Sequence, residues 1–233
     1  MKNVLFTRLT HSVASLATAI YHHPFNQALA QGSLPLATFV FYLKQDQFYL
    51  KAFTQVLQIA EQRLEKKQQR QLFLKLAEDT EHIERATQLA LLQKYRCLND
   101  AMDPQPSLFC QQYSQYLLKI AHTATTAEML ASLSPCFWLY QQLAKNVFSH
   151  YSADHPYREW MVLYQDPHFD QSVALVIETL EEVGSQTDAM TQKKMELAFR
   201  CATHLEWQFF EGVYRLAPHS QPETTPSTSR LNK

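Results

Sequence analysis

A long helical pattern runs from residue 35 to residue 65 and reads PLATFVFYLKQDQFYLKAFTQVLQIAEQRLE. Apolar residues recur in it at intervals of three and four, which is the period of one helix face. Patterns of the same kind cover residues 3–21, 68–96, 107–123, 126–150, 157–164, 170–183 and 187–216. The sequence therefore predicts an all-α protein whose long helices pack as a single bundle.

The composition supports a helical fold. The chain of 233 residues has only three glycines, whereas all-β and phosphate-loop proteins need many for turns and for close approach of the backbone to ligands. Hydrophobic residues make up 46% of the chain, enough for a substantial core. We predict one all-helical domain over residues 1–217, followed by a disordered tail over residues 218–233 that is rich in Pro, Ser and Thr.

Charge and hydropathy exclude several classes of partner. The formal net charge is −1, which gives no electrostatic footprint for nucleic acid or for an anionic membrane. No stretch is apolar enough to span a bilayer, and His11, Ser12 and Ser15 interrupt the apolar content that a secretory signal needs. We expect a cytoplasmic protein whose partner is a small molecule.

The four cysteines show no C-x-x-C pair and no metal-ligand spacing. One of them stands in the segment SPCFWLY, residues 134–140. If Pro135 opens a helix and Ser134 caps it, Cys136 lies among unpaired N–H groups that favour a thiolate nucleophile. The alternative is that Pro135 lies inside a longer helix and that Cys136 is a small buried residue.

Two carboxyl groups lie on helix faces that are otherwise apolar. Asp46 has Tyr42 four residues before it and Leu50 four after, and Glu206 precedes Phe210 by four. A buried carboxylate must be paired, protonated or next to a polar cavity. The pair is a candidate acid/base site with raised pKa values, although a hydrogen bond from another helix would equally explain Asp46.

Tyrosines on helical segments add aromatic surface. Tyr113, Tyr140 and Tyr164 stand among residues with a buried pattern, where a flat ligand could stack on them. Tyrosines at such spacing also serve as core residues with a satisfied hydroxyl. Their combination with Cys136 and the two acids is what predicts a pocket.

Several motifs together resemble the TenA family of thiaminase II enzymes, which have a haem-oxygenase-like helical fold. The motifs are His23-Pro24-Phe25, Gly32 with Leu34-Pro35, the run from Tyr42 to Leu50, the block from Ser134 to Tyr140, and Glu206-Trp207-Gln208-Phe209-Phe210. The resemblance is to the cysteine-containing branch, because Cys136 stands at the family's nucleophile position.

The resemblance implies hydrolysis of 4-amino-5-aminomethyl-2-methylpyrimidine to the hydroxymethyl pyrimidine and ammonia, a step of thiamin salvage, with cleavage of thiamin as a related activity. It implies that Cys136 adds to the ring, that Glu206 moves protons and that Asp46 orients the substrate amino group. Tyr113 and Tyr164 are then expected to hydrogen-bond the ring or the cysteine, and Tyr49 and Tyr140 to line the pocket. No metal or organic cofactor is expected, and the implied assembly is a homotetramer.

Two other functions remain open at this stage. A metal-dependent oxidase of the same fold could recruit Glu78, Glu81, His82 and His168, although residues 135–146 offer no carboxylate ligand. A binding protein without turnover could keep the pocket and lack the chemistry. The acidic run from Glu78 to Glu84 receives no role from its pattern.

Overall fold

The computed structural model describes residues 4–95 and 105–217, and within those ranges the chain forms helices and turns without any β-strand. The predicted all-α fold is thereby confirmed for the described chain. The helices are α1 (Val4–Ser12), α2 (Ala14–Tyr21), α3 (Pro24–Ala30), α4 (Leu36–Arg63), α5 (Lys67–Asp79), a π-helical turn (Thr80–Glu84), α6 (Arg85–Lys94), α7 (Leu108–Thr123), α8 (Thr126–Asn146), α9 (Arg158–Leu163), α10 (Pro167–Ser185) and α11 (Ala189–Leu216).

Helix α4 lies at the centre because one of its faces is apolar over seven turns. Phe39, Tyr42, Leu43, Tyr49 and Phe53 are all buried on it, at the helical spacing that places them on adjoining faces. Helix α4 packs against α5 and α7, while α8 packs against α11 and α10. Contacts of α4 with α8 and α11 join these two groups around one core.

The long helices begin at capping residues that the sequence supplies. Thr125, Asp166 and Asp188 each accept a hydrogen bond from a backbone N–H of the first turn that follows, in α8, α10 and α11 respectively. Such bonds satisfy N–H groups that have no partner within the helix. The chain is therefore held to the observed helix starts by its own side chains.

The N-terminal region differs from the single helix predicted over residues 3–21. The chain forms α1 and α2 with a break at Val13. Before the break, Thr10 Oγ1 donates to Phe6 O and Ser12 Oγ donates to Leu9 O, bonds that compete with regular helix geometry. The prediction of one continuous helix was wrong, because the chain leaves helical geometry at Val13, where φ is −120° and ψ is 12°.

The short helix α3 was not predicted. His23 caps it, since its Nδ1 accepts from the N–H of Phe25 at 3.2 Å, and Pro24 occupies the first helical position. The His23 Nε2 lies 3.0 Å from Glu211 Oε2 of α11. Seven residues are too few for a clear helical period, which is why the pattern missed it.

The predicted helix over residues 68–96 is observed from Lys67 to Lys94 but contains the π turn at Thr80–Glu84. The predicted tail, residues 218–233, lies outside the described residues. None of the helices within residues 4–95 and 105–217 is long and apolar enough to cross a membrane.

The first turn of α1 is capped from another helix. The Glu181 carboxylate on α10 accepts from the N–H groups of Leu5 and Phe6, each at 2.9 Å. The negative charge also complements the positive end of the α1 dipole. Since α1 contributes Leu5, Phe6 and Leu9 to the core, this contact fixes the N-terminal helix on the bundle.

We expect Glu181→Ala to lower the free energy of unfolding by about 1–2 kcal/mol, because two backbone donors lose their acceptor. Urea denaturation followed by circular dichroism measures the change. The control is Glu178→Ala, an exposed position on the same helix. Equal stability of the two variants would contradict the proposed capping role.

Candidate active site

The centre of the site is the Asp46 carboxyl on α4. Its Oδ2 accepts a hydrogen bond of 2.6 Å from Gln88 Nε2 of α6, and Tyr42 Oη lies 3.5 Å away as a second donor. Asp46 is 4% exposed, and burial raises its pKa to about 7, although these hydrogen bonds oppose the rise. The group can therefore hold or release a proton near neutral pH.

A tyrosine pair extends this network to α8. The Tyr42 and Tyr140 hydroxyl oxygens are 3.0 Å apart, so Asp46, Tyr42 and Tyr140 form a continuous polar chain. Aromatic rings surround it, including Trp160, whose centroid is 5.6 Å from that of Tyr42 and 6.1 Å from that of Tyr140. The chain links two helices across an otherwise apolar core.

Glu206 enters the same region from α11. It is 2% exposed, and burial raises its pKa to about 8, with the Tyr113 and Tyr140 hydroxyls opposing the rise and the Asp46 charge adding to it. Its Oε2, like Tyr49 Oη and Tyr113 Oη, is buried without a hydrogen bond of acceptable geometry to another described residue. Buried polar atoms of this kind point to a ligand that supplies the missing partner.

Cys136 lies in the middle of α8 and not at a helix N-terminus. The helix runs from Thr126 through Pro135 to Asn146, and Ser134 Oγ donates to Leu130 O at 2.7 Å, so it caps nothing. The predicted activation of Cys136 by unpaired N–H groups was wrong, and the alternative of a proline within a longer helix is confirmed.

The surroundings of the Cys136 thiol disfavour the thiolate in the free protein. Burial raises the pKa of Cys136 well above its usual value, and the negative charge of Glu206 adds to this. The Tyr49 hydroxyl opposes the rise. A reaction at this sulfur therefore needs a nearby group that accepts the thiol proton.

A small chamber brings five of the predicted site residues together. Its volume is about 20 Å³, and its lining consists of Asp46, Tyr49, Leu50, Phe53, Glu84, Cys136, Phe137, Tyr140, Tyr164 and Phe169. An outer cleft of about 200 Å³ adjoins it between the π turn, α9 and the start of α10. A ring-sized ligand must displace side chains at the junction, because the chamber itself has room for about one water molecule.

Five of the seven predicted site residues line this chamber, namely Asp46, Tyr49, Cys136, Tyr140 and Tyr164. Glu206 and Tyr113 do not line it. Tyr113 packs on Tyr49, with ring centroids 4.7 Å apart, and Glu206 is close enough to Cys136 to raise the pKa of its thiol. The geometry therefore places all seven in one region, and their roles in a reaction stay predictions.

Two polar residues at the site were missed. Gln88 is buried and holds Asp46, and Glu84 lines the chamber. Glu84 ends the acidic run that begins at Glu78, and Gln88 follows that run. The run has the composition of a solvated surface. The spacing of four from Thr80 to Glu84 and from Glu84 to Gln88 is the signal that could have placed them on one face.

The residues considered for a metal site are not grouped. Within residues 4–95 and 105–217, no set of three or more His, Cys, Asp or Glu side chains is arranged to hold a metal ion. Glu81 instead pairs with Arg85, and His82 is exposed. A larger surface groove of about 700 Å³ lies elsewhere, beside α2 and α11, and includes none of the predicted site residues.

Two curated proteins are similar to this chain over most of their length. The aminopyrimidine aminohydrolase of Halalkalibacterium halodurans is 26% identical over 197 residues, which cover 83% of this chain and 88% of that protein. The aminopyrimidine aminohydrolase of Bacillus subtilis is 27% identical over 197 residues, covering 83% and 82%.

A solved structure shares the fold. A TenA homologue from P. horikoshii OT3 superimposes with a TM-score of 0.81 at 26% sequence identity, covering 91% of this chain and 98% of the other. The profile of the TENA/THI-4/PQQC family matches residues 10–216. Since that match takes in every helix from α2 to α11, the chain belongs to the TENA/THI-4/PQQC family, as its sequence motifs predict.

Proposed function

We propose that the protein is an aminopyrimidine aminohydrolase of the thiaminase II type. The observation that carries this proposal is that Cys136 and Asp46 line one aromatic chamber, with Glu206 buried beside it. The substrate is 4-amino-5-aminomethyl-2-methylpyrimidine, and the products are the hydroxymethyl pyrimidine and ammonia. The names of the two similar proteins support this choice of reaction.

The chamber has the chemistry that an aminopyrimidine needs. Its walls include the rings of Tyr49, Tyr140 and Tyr164, which offer flat apolar surface. Asp46 offers carboxylate oxygens to the amino group on the ring, and Gln88 fixes the orientation of that carboxyl. In the described residues no lysine or arginine lines the chamber, so a donor-rich or cationic ligand is favoured over an anion.

The reaction begins with a bond between the Cys136 sulfur and a carbon of the electron-poor ring. The thiol loses its proton and a ring nitrogen gains one, and Glu206, whose pKa of about 8 suits both steps, is the carrier. This order of events removes the need for a stable thiolate in the free protein. It thus agrees with the raised pKa of the Cys136 thiol.

The electron-rich adduct then expels ammonia from the exocyclic methylene group. Water adds to that carbon, and the carbon–sulfur bond breaks, which restores the aromatic ring and returns the proton to Cys136. The net change exchanges an amine for a hydroxyl group with water as the only co-reactant. Cleavage of thiamin follows the same course with the thiazole as the leaving group.

We also propose a homo-oligomer, with a tetramer expected from the family resemblance, and a cytoplasmic location. Large apolar side chains are exposed on the described chain, among them Val4, Leu108, Leu197 and Leu216. Exposed apolar side chains of this size are available for contacts between subunits. Light scattering after size exclusion determines the number of subunits.

Cys136→Ser should abolish turnover while the protein stays folded, because a hydroxyl group at this position is a far weaker nucleophile. We expect ammonia release from the aminomethyl pyrimidine to fall by roughly three orders of magnitude or more. Cys201→Ser is the control, since Cys201 lies on α11 outside the chamber. Full activity of Cys136→Ser, or inactivity of the wild type, would contradict the proposal.

Glu206→Gln should remove one limb of the pH profile. In the proposed reaction Glu206 first donates to the ring nitrogen and then takes the thiol proton, so it must start protonated, as it is in the free protein below its pKa of about 8. Wild-type kcat/KM is therefore expected to decline as the pH rises above this value. The variant should keep a low activity that lacks this decline. An unchanged decline in Glu206→Gln would assign it to another group.

Asp46→Asn should lower activity and raise stability at alkaline pH. The pKa of Asp46 is about 7 in the folded protein. The protonated carboxyl therefore contributes to the free energy of unfolding in full below the usual carboxyl pKa, and this contribution is lost as the pH rises through 7. Urea denaturation at about pH 5 and about pH 8.5 tests the linkage. The loss begins above the usual carboxyl pKa, so the expected gain is smaller at the lower pH and larger at the higher pH. Glu78→Gln, at an exposed position, should show none.

A further inference from the structure

Glu84 lies at the neck between the chamber and the outer cleft. The two cavities share four residues, namely Glu84, Phe137, Tyr164 and Phe169. The other three are aromatic, so Glu84 is the charged group among the described residues of the neck. Any substituent of a bound ring that points towards the cleft passes this carboxyl group.

The π turn gives Glu84 its place. Thr80, one turn before it, is buried, and Gln88, one turn after it, is buried and bonded to Asp46. Glu84 is thus on the face of the helix that is directed towards α4 and the site. Turns of the π type are rare and are frequently found at functional sites.

The neighbours of Glu84 in the π turn region have partners, whereas Glu84 has none among residues 4–95 and 105–217. Glu81 pairs with Arg85, and Asp79 pairs with Lys75. The described residues provide Glu84 with neither a hydrogen bond nor an ion pair, and no lysine or arginine among them lines the chamber or the cleft. A carboxyl group that lacks a cation at a cavity neck is suited to a cation that the ligand brings.

The electrostatic surroundings fit this reading. Burial raises the pKa of Glu84 to about 8, and the charges of Asp46 and Asp79 add to the rise. A positive charge nearby favours the ionised carboxylate and reverses the effect. The free site is therefore prepared for a ligand that carries its own positive charge.

We propose that Glu84 is a specificity-determining residue, which binds the positive charge next to the exocyclic methylene of the substrate and so distinguishes substrate from neutral product. This inference rests on the proposed function. It concerns binding at the neck and is separate from the chemistry at Cys136.

The two substrates and the product differ at this one place. A primary aliphatic amine is protonated at neutral pH, as lysine is, so the aminomethyl pyrimidine carries an ammonium group on its methylene. Thiamin carries a permanently charged thiazolium ring on the same carbon. The hydroxymethyl product is neutral there, and an ionised Glu84 has no charge to hold.

The order of the two cavities gives the orientation. Cys136 and Asp46 line the chamber and not the cleft, and the cleft of about 200 Å³ lies directly outside the neck. A pyrimidine that reaches Cys136 therefore leaves the cleft for the larger substituent, the thiazolium ring. The leaving group also departs through the neck when the methylene points that way. The ammonium nitrogen leaves as ammonia by taking the electron pair of the carbon–nitrogen bond, so Glu84 has no proton to supply.

The test compares two ligands that differ only in this charge. In a Cys136→Ser background, calorimetry gives the Kd of the aminomethyl and of the hydroxymethyl pyrimidine for protein with and without Glu84→Gln. We expect the amine to bind about tenfold or more weakly in the Glu84→Gln protein, and the Kd of the hydroxymethyl compound to stay within about twofold. Glu81→Gln, on the same π turn but paired with Arg85, should change neither.

Equal weakening of both ligands would overturn the proposal, because it would show a structural role, and so would no change for either. Steady-state kinetics of Glu84→Gln with Cys136 intact should show a higher KM with little change in kcat. If the wild type releases no ammonia, the proposed function fails, and the difference between the two Kd values still decides the role of Glu84. If the wild type binds neither compound, both proposals are wrong.

Discussion

The Asp46 carboxyl is the point on which the site depends, because it joins three helices. Gln88 donates to it from α6, and Tyr42 connects it through Tyr140 to α8. Without these donors a carboxyl group in this aromatic core would lose its hydrogen bonds to water and gain none from the protein. The network therefore sets the spacing of the helices, and Cys136, four residues before Tyr140, takes its position from it.

Three acids around one small cavity, with no cation from the described chain, make the site expensive to fold in charged form. Their raised pKa values are the direct result, and the same shift gives groups that exchange protons near neutral pH. Stability and reactivity are thus opposed at the same atoms. The proposed aminopyrimidine substrate would relieve the conflict by supplying the donors that the buried oxygens lack.

The sequence was sufficient for the parts of the structure that repeat over many turns. Asp46 and Glu206 could be placed on buried faces because the residues three and four positions away are aromatic or aliphatic. Short elements could not be found in this way: α3 has seven residues, and α1 and α2, of nine and eight residues, are separated by the single residue Val13. Pro135 could either open a helix or lie inside a longer one, and only tertiary packing decides that α8 continues through it. Glu84 was missed because it belongs to an acidic run whose composition is that of a solvated surface.

The π turn has a consequence for the length of the chain in this region. A residue added within a regular α-helix rotates everything that follows by about 100°. A π turn holds about one residue more than an α turn, so the extra residue between Thr80 and Glu84 is taken up without rotating the helix that follows. Gln88 thus keeps its hydrogen bond to Asp46 although α5 and α6 are joined by a wider turn. Removing one residue here would restore a regular helix and leave Gln88 in place, so the loss would fall on the turn itself, where Glu84 lies.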